Sequence, residues 1–157
     1  MAEQTATRPG TTPRIVELPE RKAAIVDIEG AVGDMPAMVG EAFRLTADAI
    51  LSSGATFAGE PFSRYLSVGD RIVAEVGFPF EGAHQPTDRV RETTLPGGRA
   101  VMTTHVGSYG DLGRAWERGQ AWAREQGLTF SAPGWECYVT GPDEPGPPVT
   151  EIYWPIS

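Results

Sequence analysis

The chain has one cysteine, Cys137, in 157 residues, so no disulfide framework can form within it. A reducing cytoplasm is then the default setting, and a lone thiol in an aromatic strand reads as a small buried hydrophobe. It has two histidines, His84 and His105, far apart in sequence and with no ligand cluster beside either, so a metal site has little support and no cofactor is expected. No run of about 18 apolar residues exists to span a membrane, and no charged leader precedes an apolar run. Basic residues are few: 13 against 21 acidic, a formal net charge of −8. Without a Lys/Arg stripe, the footprint of a nucleic-acid-binding surface is missing. An acidic field favours cations, although much of it can serve solubility. No Gly-Lys-Ser/Thr ending turns "VGSYGDLG" into a phosphate loop, and no nucleophile elbow is present.

What the chain does have is enough apolar material for a core, 40% of its residues. Residues 1–13 are polar and rich in Thr and Pro, a flexible lead-in. A domain is expected from 14 to 157. "RIVELPERKAAIVDIEG" is strand material. From Met35 the period lengthens to three and four, giving an amphipathic helix stopped at Gly54. "PFSRYLSV" and "RIVAEVGFPF" follow as strands around a Gly69-Asp70 turn. The order then returns: strand "RAVMTTHVG", a helix from Leu112 stopped by Gly127, then strands "WECYVT" and "TEIYWPI". The Pro/Gly loop "GPDEPGPPV" separates the last two.

The halves, about 14–80 and 90–157, can be laid on one another. Gly54–Ser67 matches Gly127–Thr140 at an offset of 73, and Ala74–Phe80 matches Thr150–Ile156 at 76. Around Val32-Gly33 and Val106-Gly107 the offset reads 74. Neither copy has strands enough to bury its own apolar faces. Packed together they predict an α+β domain: a duplicated strand–helix–strand–strand unit with pseudo-twofold symmetry. Its antiparallel or mixed sheet would carry two main helices, with a ligand cleft at the junction.

The stretch "GWECYVT" sets a carboxylate among aromatics. A buried carboxylate without a partner costs several kcal/mol or takes up a proton. On a strand, Glu136 and Tyr138 share one face and Trp135 the other; all three are candidate ligand contacts. The first-half counterparts of Glu136 and Tyr138 are Ser63 and Tyr65. Two readings of Glu136 stand: a solvent-facing residue, or the one asymmetric charge of a cleft lined by Tyr65 and Tyr138. The second suits a flat, apolar cation. Glu75 and Glu151 recur in both halves, each as a structural partner or as an acidic wall. Phe78 and Trp154 are core or pocket rim. Tyr109, where strand hands over to helix, is a pocket border or a staple. Trp116 and Trp122 read as core packing of the second helix.

The duplicated unit, with "EVGFPF" closing one half and "GWECYVTGP…TEIYWPI" the other, resembles the GyrI-like small-molecule-binding family. These effector-binding domains stand behind DNA-binding domains in BmrR- and Rob-type regulators. The likeness covers roughly residues 14–157. It implies a central concave site in which a glutamate near the second-half tyrosine meets cationic amphipathic compounds. The matching residue is Glu136, beside Tyr138, with Glu151 competing for the role. Only about thirteen residues precede the domain, too few for a helix-turn-helix, so direct operator binding is not expected. The resemblance leaves three functions open. One is capture of a hydrophobic or cationic small molecule. Another is hydrolysis of cyclopropane-bearing genotoxins, with Glu136 or Glu151 as base helped by Tyr138 or Tyr109. The last is inhibition of a protein partner such as gyrase. The oligomeric state does not follow from the sequence.

Overall fold

The computed structural model describes residues 12–83, 85–140 and 144–157. His84, most of the N-terminal lead-in and part of the Pro/Gly loop lie outside the described residues. The elements run β1 (Arg14–Leu18), β2 (Arg21–Ala31), α1 (Met35–Ser52), β3 (Thr56–Phe57), β4 (Phe62–Ser67) and β5 (Arg71–Glu81). After them come β6 (Val90–Leu95), β7 (Gly98–Val106), α2 (Leu112–Glu125), β8 (Trp135–Tyr138) and β9 (Val149–Pro155). A 3-10 turn precedes each helix, Val32–Asp34 and Tyr109–Asp111. The fold is α+β, as expected: one curled antiparallel sheet with two main helices.

The helices stop where the glycines indicated. Gly54 and Gly127 sit just past α1 and α2 at φ of +74° and +72°. There the left-handed conformation ends a helix at no Cβ cost. Along α1, Ala42, Thr46, Ala49 and Ile50 are buried, the three- and four-residue spacing of one face. On α2 the buried stripe is small, Ala115, Gly119 and Ala123, and it lies against the Trp154 ring.

The sheet order is β1-β7-β9-β8-β4-β5-β2-β6, with β3 added on β5. The order is palindromic about the β8–β4 pair, which is consistent with a duplicated unit. Three strands differ from the sequence reading, the short β3 being one that it did not contain. "RIVELPERKAAIVDIEG" is not one strand: Pro19, which lacks an amide donor, stands at the break between β1 and β2. β1 then pairs with β7 in the second half, while β6, unread in the sequence, pairs with β2 in the first. Each half therefore carries the other's edge strand.

The alignment of the halves also changes. The 3-10 turns and helix starts correspond at an offset of 77 (Met35 to Leu112), not 74. α1 has 18 residues and α2 has 14, so the offset has fallen to 73 by the terminating glycines. A missing helical turn is thus what sequence matching blurred.

Leu18 from one sheet edge and Leu95 from the other join a single buried cluster with Ile25, Phe62 and Trp135. The sheet curls enough to bring its two edges together, and this inner face is a second core. The other face carries α1 and α2 over separate apolar clusters, one per half. With both faces covered, Ala23, Ala24, Ile25 and Val26 are all buried in succession. No helix among the described residues is long and apolar enough to cross a membrane.

Buried Arg64 on β4 donates from Nε to Glu75 on β5 at 2.7 Å, and Arg91 on β6 reaches the other Glu75 oxygen at 2.7 Å. Glu75 is therefore a structural partner, tying three strands. Arg64→Ala would leave a buried carboxylate with one cation instead of two. It should cost about 2 kcal/mol, below the usual figure for breaking a buried pair because Arg91 remains. Urea unfolding measures this, and a change within about 0.5 kcal/mol would contradict the role assigned to Arg64.

Candidate functional site

β4 and β8 meet at the middle of the sheet, in the gap between the two helices. Their register sets Ser63 opposite Glu136, and Arg64 opposite Trp135. Ser63 and Glu136 correspond at the offset of 73, so equivalent residues face each other across the ladder. Any twofold axis relating the halves passes between them. The backbone repeats the relation: Tyr65 N donates to Gly134 O at 3.3 Å and Tyr138 N to Pro61 O at 3.0 Å.

Strand alternation turns Ser63, Tyr65, Glu136 and Tyr138 to the helix-bearing face. Glu136 is 4% exposed. Tyr65, the indole of Trp116 on α2, and Tyr138 are the polar neighbours that favour its charged form. The Tyr138 hydroxyl donates to Ser63 Oγ at 2.9 Å. No Lys, Arg or His among the described residues forms an ion pair with Glu136. Burial pushes its carboxyl up to about 7, against the pull of those three neighbours. Burial also raises both tyrosines, with the nearby Glu136 charge next in importance. The hydroxyls therefore stay protonated, that of Tyr138 being committed to Ser63.

Aromatic rings flank this cluster. Phe43 of α1 lies edge-on to Tyr138 with centroids 5.8 Å apart, and Tyr109 lies 6.1 Å from Tyr138. Trp116 meets Tyr65 edge-on at 5.8 Å. Phe78 packs on Phe43 at 5.7 Å. Tyr109, on the turn before α2, is 47% exposed.

The structure thus brings Glu136, Tyr138, Tyr65, Tyr109 and Phe78 to one side of the sheet. It does not bring the other three candidates there. Trp135 belongs to the inner core, because neighbours on a strand point oppositely. Glu151 pairs across from Cys137, not from Glu136, and so shares the inner face; it accepts from the Tyr153 hydroxyl at 2.7 Å. Trp154 is on the helix side but buried in the second-half core, with Trp116 at 5.2 Å and Phe130 stacked at 5.9 Å. The sequence reading missed Trp116, Ser63 and Phe43. Trp116 and Phe43 lie on the apolar stripes of their helices, which hides any second role. The signal for Ser63 was present: it is the residue matched to Glu136. Among the described residues, no group of three or more His, Cys, Asp or Glu is placed to hold a metal ion.

Solved structures with this architecture are distant in sequence. The EcmrR C-terminal domain superposes with a TM-score of 0.80 at 16% identity, covering 93% of this chain and 97% of that one. A hydrolase from Listeria innocua gives 0.65 at 18% identity, over 96% and 94% of the two chains. SAV2435, bound to tetraphenylphosphonium, gives 0.64 at 12% identity, over 92% and 93%. A search of curated protein sequences finds no significant match. The family model for the GyrI-like small molecule binding domain, in contrast, matches residues 11–157. With nearly the whole chain matched, and the same fold in these structures, the protein belongs to the GyrI-like small molecule binding domain family.

Proposed function

We propose that this protein reversibly captures hydrophobic cations between its two helices, with Glu136 as the counter-charge. The observation that carries the reading is a carboxylate 4% exposed, set among two tyrosines and an indole, with no basic partner among the described residues. Such a group is costly unless a cation completes it. The rings of Tyr65, Tyr138, Phe43 and Trp116 add attraction of about 0.5–2 kcal/mol per well-placed face. A neutral or anionic compound gains nothing from Glu136 and is selected against. Tyr109, the exposed ring beside Tyr138, is the side chain whose movement would open the way in. That the structurally similar SAV2435 binds tetraphenylphosphonium supports the class of ligand.

Calorimetric titration at pH 8 tests it, using tetraphenylphosphonium against neutral triphenylphosphine oxide. The cation should bind and the oxide bind far more weakly. Glu136→Gln should weaken the cation about 10- to 100-fold, the scale for removing one partner of a desolvated charge contact. Equal binding of cation and oxide, or an unaffected variant, would overturn the reading.

A second reading draws support from a single feature: a carboxyl held near neutrality beside two tyrosine hydroxyls suits a general base. In it, Glu136 takes a proton from water as the water oxygen bonds to a ring carbon of a cyclopropane conjugated to a carbonyl. The ring C–C bond breaks, its electron pair passes to the carbonyl oxygen, and that oxygen takes a proton from Tyr65 or Tyr138, which the protonated Glu136 restores. Glu151, on the inner face, lies outside this arrangement. Mass spectrometry of such a compound decides the matter. A water adduct forming faster than without protein, and lost in Glu136→Gln, is the expected result; the uncatalysed rate removes the reading.

A further inference from the structure

Two buried side-chain atoms among the described residues have no hydrogen-bond partner, Trp154 Nε1 and Thr150 Oγ1. The first belongs to a ring that fills the second-half core, against Gly119 and Gly134. The second is the hydroxyl of a fully buried strand residue, and a buried hydroxyl left unpaired is costly. Thr150 pairs with Tyr138 of β8 on one side and with His105 of β7 on the other. Directly paired residues share a face, so all three side chains project to the helix side with Glu136.

The first half has the same row without the polarity. There Tyr65 pairs with Ala74, and Ala74 with Ile28, both buried in the core under α1. Ala74 and Thr150 correspond at the offset of 76, Ile28 and His105 at the offset of 77. The second half thus sets a hydroxyl and an imidazole where the first has a methyl group and a branched alkyl chain. Packing requires neither of them, since the apolar version fills the same place in the other half. His105 is held by its own turn: its Nε2 donates to the Ser108 carbonyl at 2.8 Å. The Thr150 hydroxyl has no such contact. Its polarity lies in the half that also carries Glu136, where the first half has Ser63.

We propose that Thr150 is a specificity-determining residue of the Glu136 site, and that the cation captured there carries a hydroxyl or carbonyl oxygen roughly one ring's width from its charge. The inference rests on Glu136 being the counter-charge, and it adds to that reading what the rest of the ligand must offer. The spacing comes from the ladder. Glu136 pairs with Ile152, two residues beyond Thr150, and residues so related lie about 7–8 Å apart. The Tyr138 hydroxyl is committed to Ser63 and does not serve Thr150. Tyr109 packs on Tyr138, so a ligand that takes the place of Tyr109 arrives at the Tyr138–Thr150 pair. An oxygen there accepts the Thr150 proton; an alkyl group of the same size leaves the hydroxyl unpaired.

The test is calorimetric titration of the full chain at pH 8 with two cations matched in shape, para-(hydroxymethyl)phenyl-triphenylphosphonium and para-ethylphenyl-triphenylphosphonium. Both should bind, the hydroxymethyl compound about five- to tenfold more tightly, the scale of one hydrogen bond gained by a buried hydroxyl. Thr150→Val keeps the side chain's shape. It should remove the preference, leave the affinity for the ethyl compound unchanged, and melt no lower than wild type. Thr150→Ser, which keeps the hydroxyl, should retain the preference. Glu136→Gln should weaken both compounds and leave their ratio as it was. Equal binding of the two compounds to the wild type overturns the proposal and leaves the counter-charge reading intact. So does a preference that survives in Thr150→Val. A lower thermal midpoint in that variant also overturns it, since the hydroxyl would then be paired within the protein. Binding of neither compound overturns the proposal and the counter-charge reading together.

Discussion

Gly77→Ala is expected to yield no folded protein. Gly77 lies in the middle of β5, paired with Ile25 of β2 on one side and Phe62 of β4 on the other. A Cβ built there would stand 1.8 Å from the carbonyl oxygen of Ala24 and 2.9 Å from its carbonyl carbon. The obstacle is backbone in a paired strand, so no side-chain rotation relieves it. Separating β2 from β5 would also break the pairing from Ala23–Pro79 to Ala31–Arg71. The cost should exceed about 4 kcal/mol, the range reserved for gross overpacking. A domain of this size is stable by only about 5–15 kcal/mol in total. Circular dichroism and amide proton spectra of the variant should show an unfolded or insoluble chain. A cooperative melt within a few degrees of wild type would mean that β2 and β5 do not approach as described.

Gly77 also shows what the sequence conveys and what it hides. Its counterpart at the offset of 76 is Tyr153, so the two halves differ at this inner-face position, and matching strings could not say why. In the first half Phe62 lies across from a bare backbone; in the second, Trp135 stacks on Tyr153. Alternation within a strand separated Glu136 and Tyr138 from Trp135 before any coordinates, because the period of two is fixed by the backbone. The helix ends were equally readable, since Gly54 and Gly127 act locally. Edge strands are another matter. β1 and β6 are short, half exposed, and stabilised by pairing with the opposite half, information carried by no local pattern. The same holds for Glu151. Its face follows from which β8 residue it pairs with, a register set across a loop, and the pattern Glu-x-x-aromatic-Pro says nothing about that. Trp116 is hidden for a different reason: a tryptophan on an apolar stripe fills a core, and only the fold reveals that its indole stands beside Tyr65 and Glu136.

Wild-type stability should fall with pH relative to Glu136→Gln, across the interval from about 4.5 to about 7. In the folded protein the carboxyl is raised by burial from 4.5 to about 7, with Tyr65, Trp116 and Tyr138 opposing the shift. The unfolded chain gives up its proton near the ordinary value, so between these limits the folded state holds more protons than the unfolded one. Stability is then fully present below about 4.5 and declines until the folded carboxyl itself ionises. The plateau loss is about 3 kcal/mol, at 1.36 kcal/mol per unit. Glutamine keeps the shape and one acceptor but never ionises. The variant should match wild type near pH 4.5 and melt about 6–12 °C higher at pH 8, on the usual scaling for a chain of this length. Other titrating groups cancel in the difference between the two proteins. A difference that stays flat from pH 4.5 to 8 would show that Glu136 meets its own charge by some other means. The same ionisation reappears with opposite sign in binding. If a bound cation needs the carboxylate, its affinity should fall about tenfold for each pH unit below 7, as the site takes up the proton instead. The instability of the free protein at pH 8 and its preference for a cation then have one cause, an ionised group built into a place that lacks its partner.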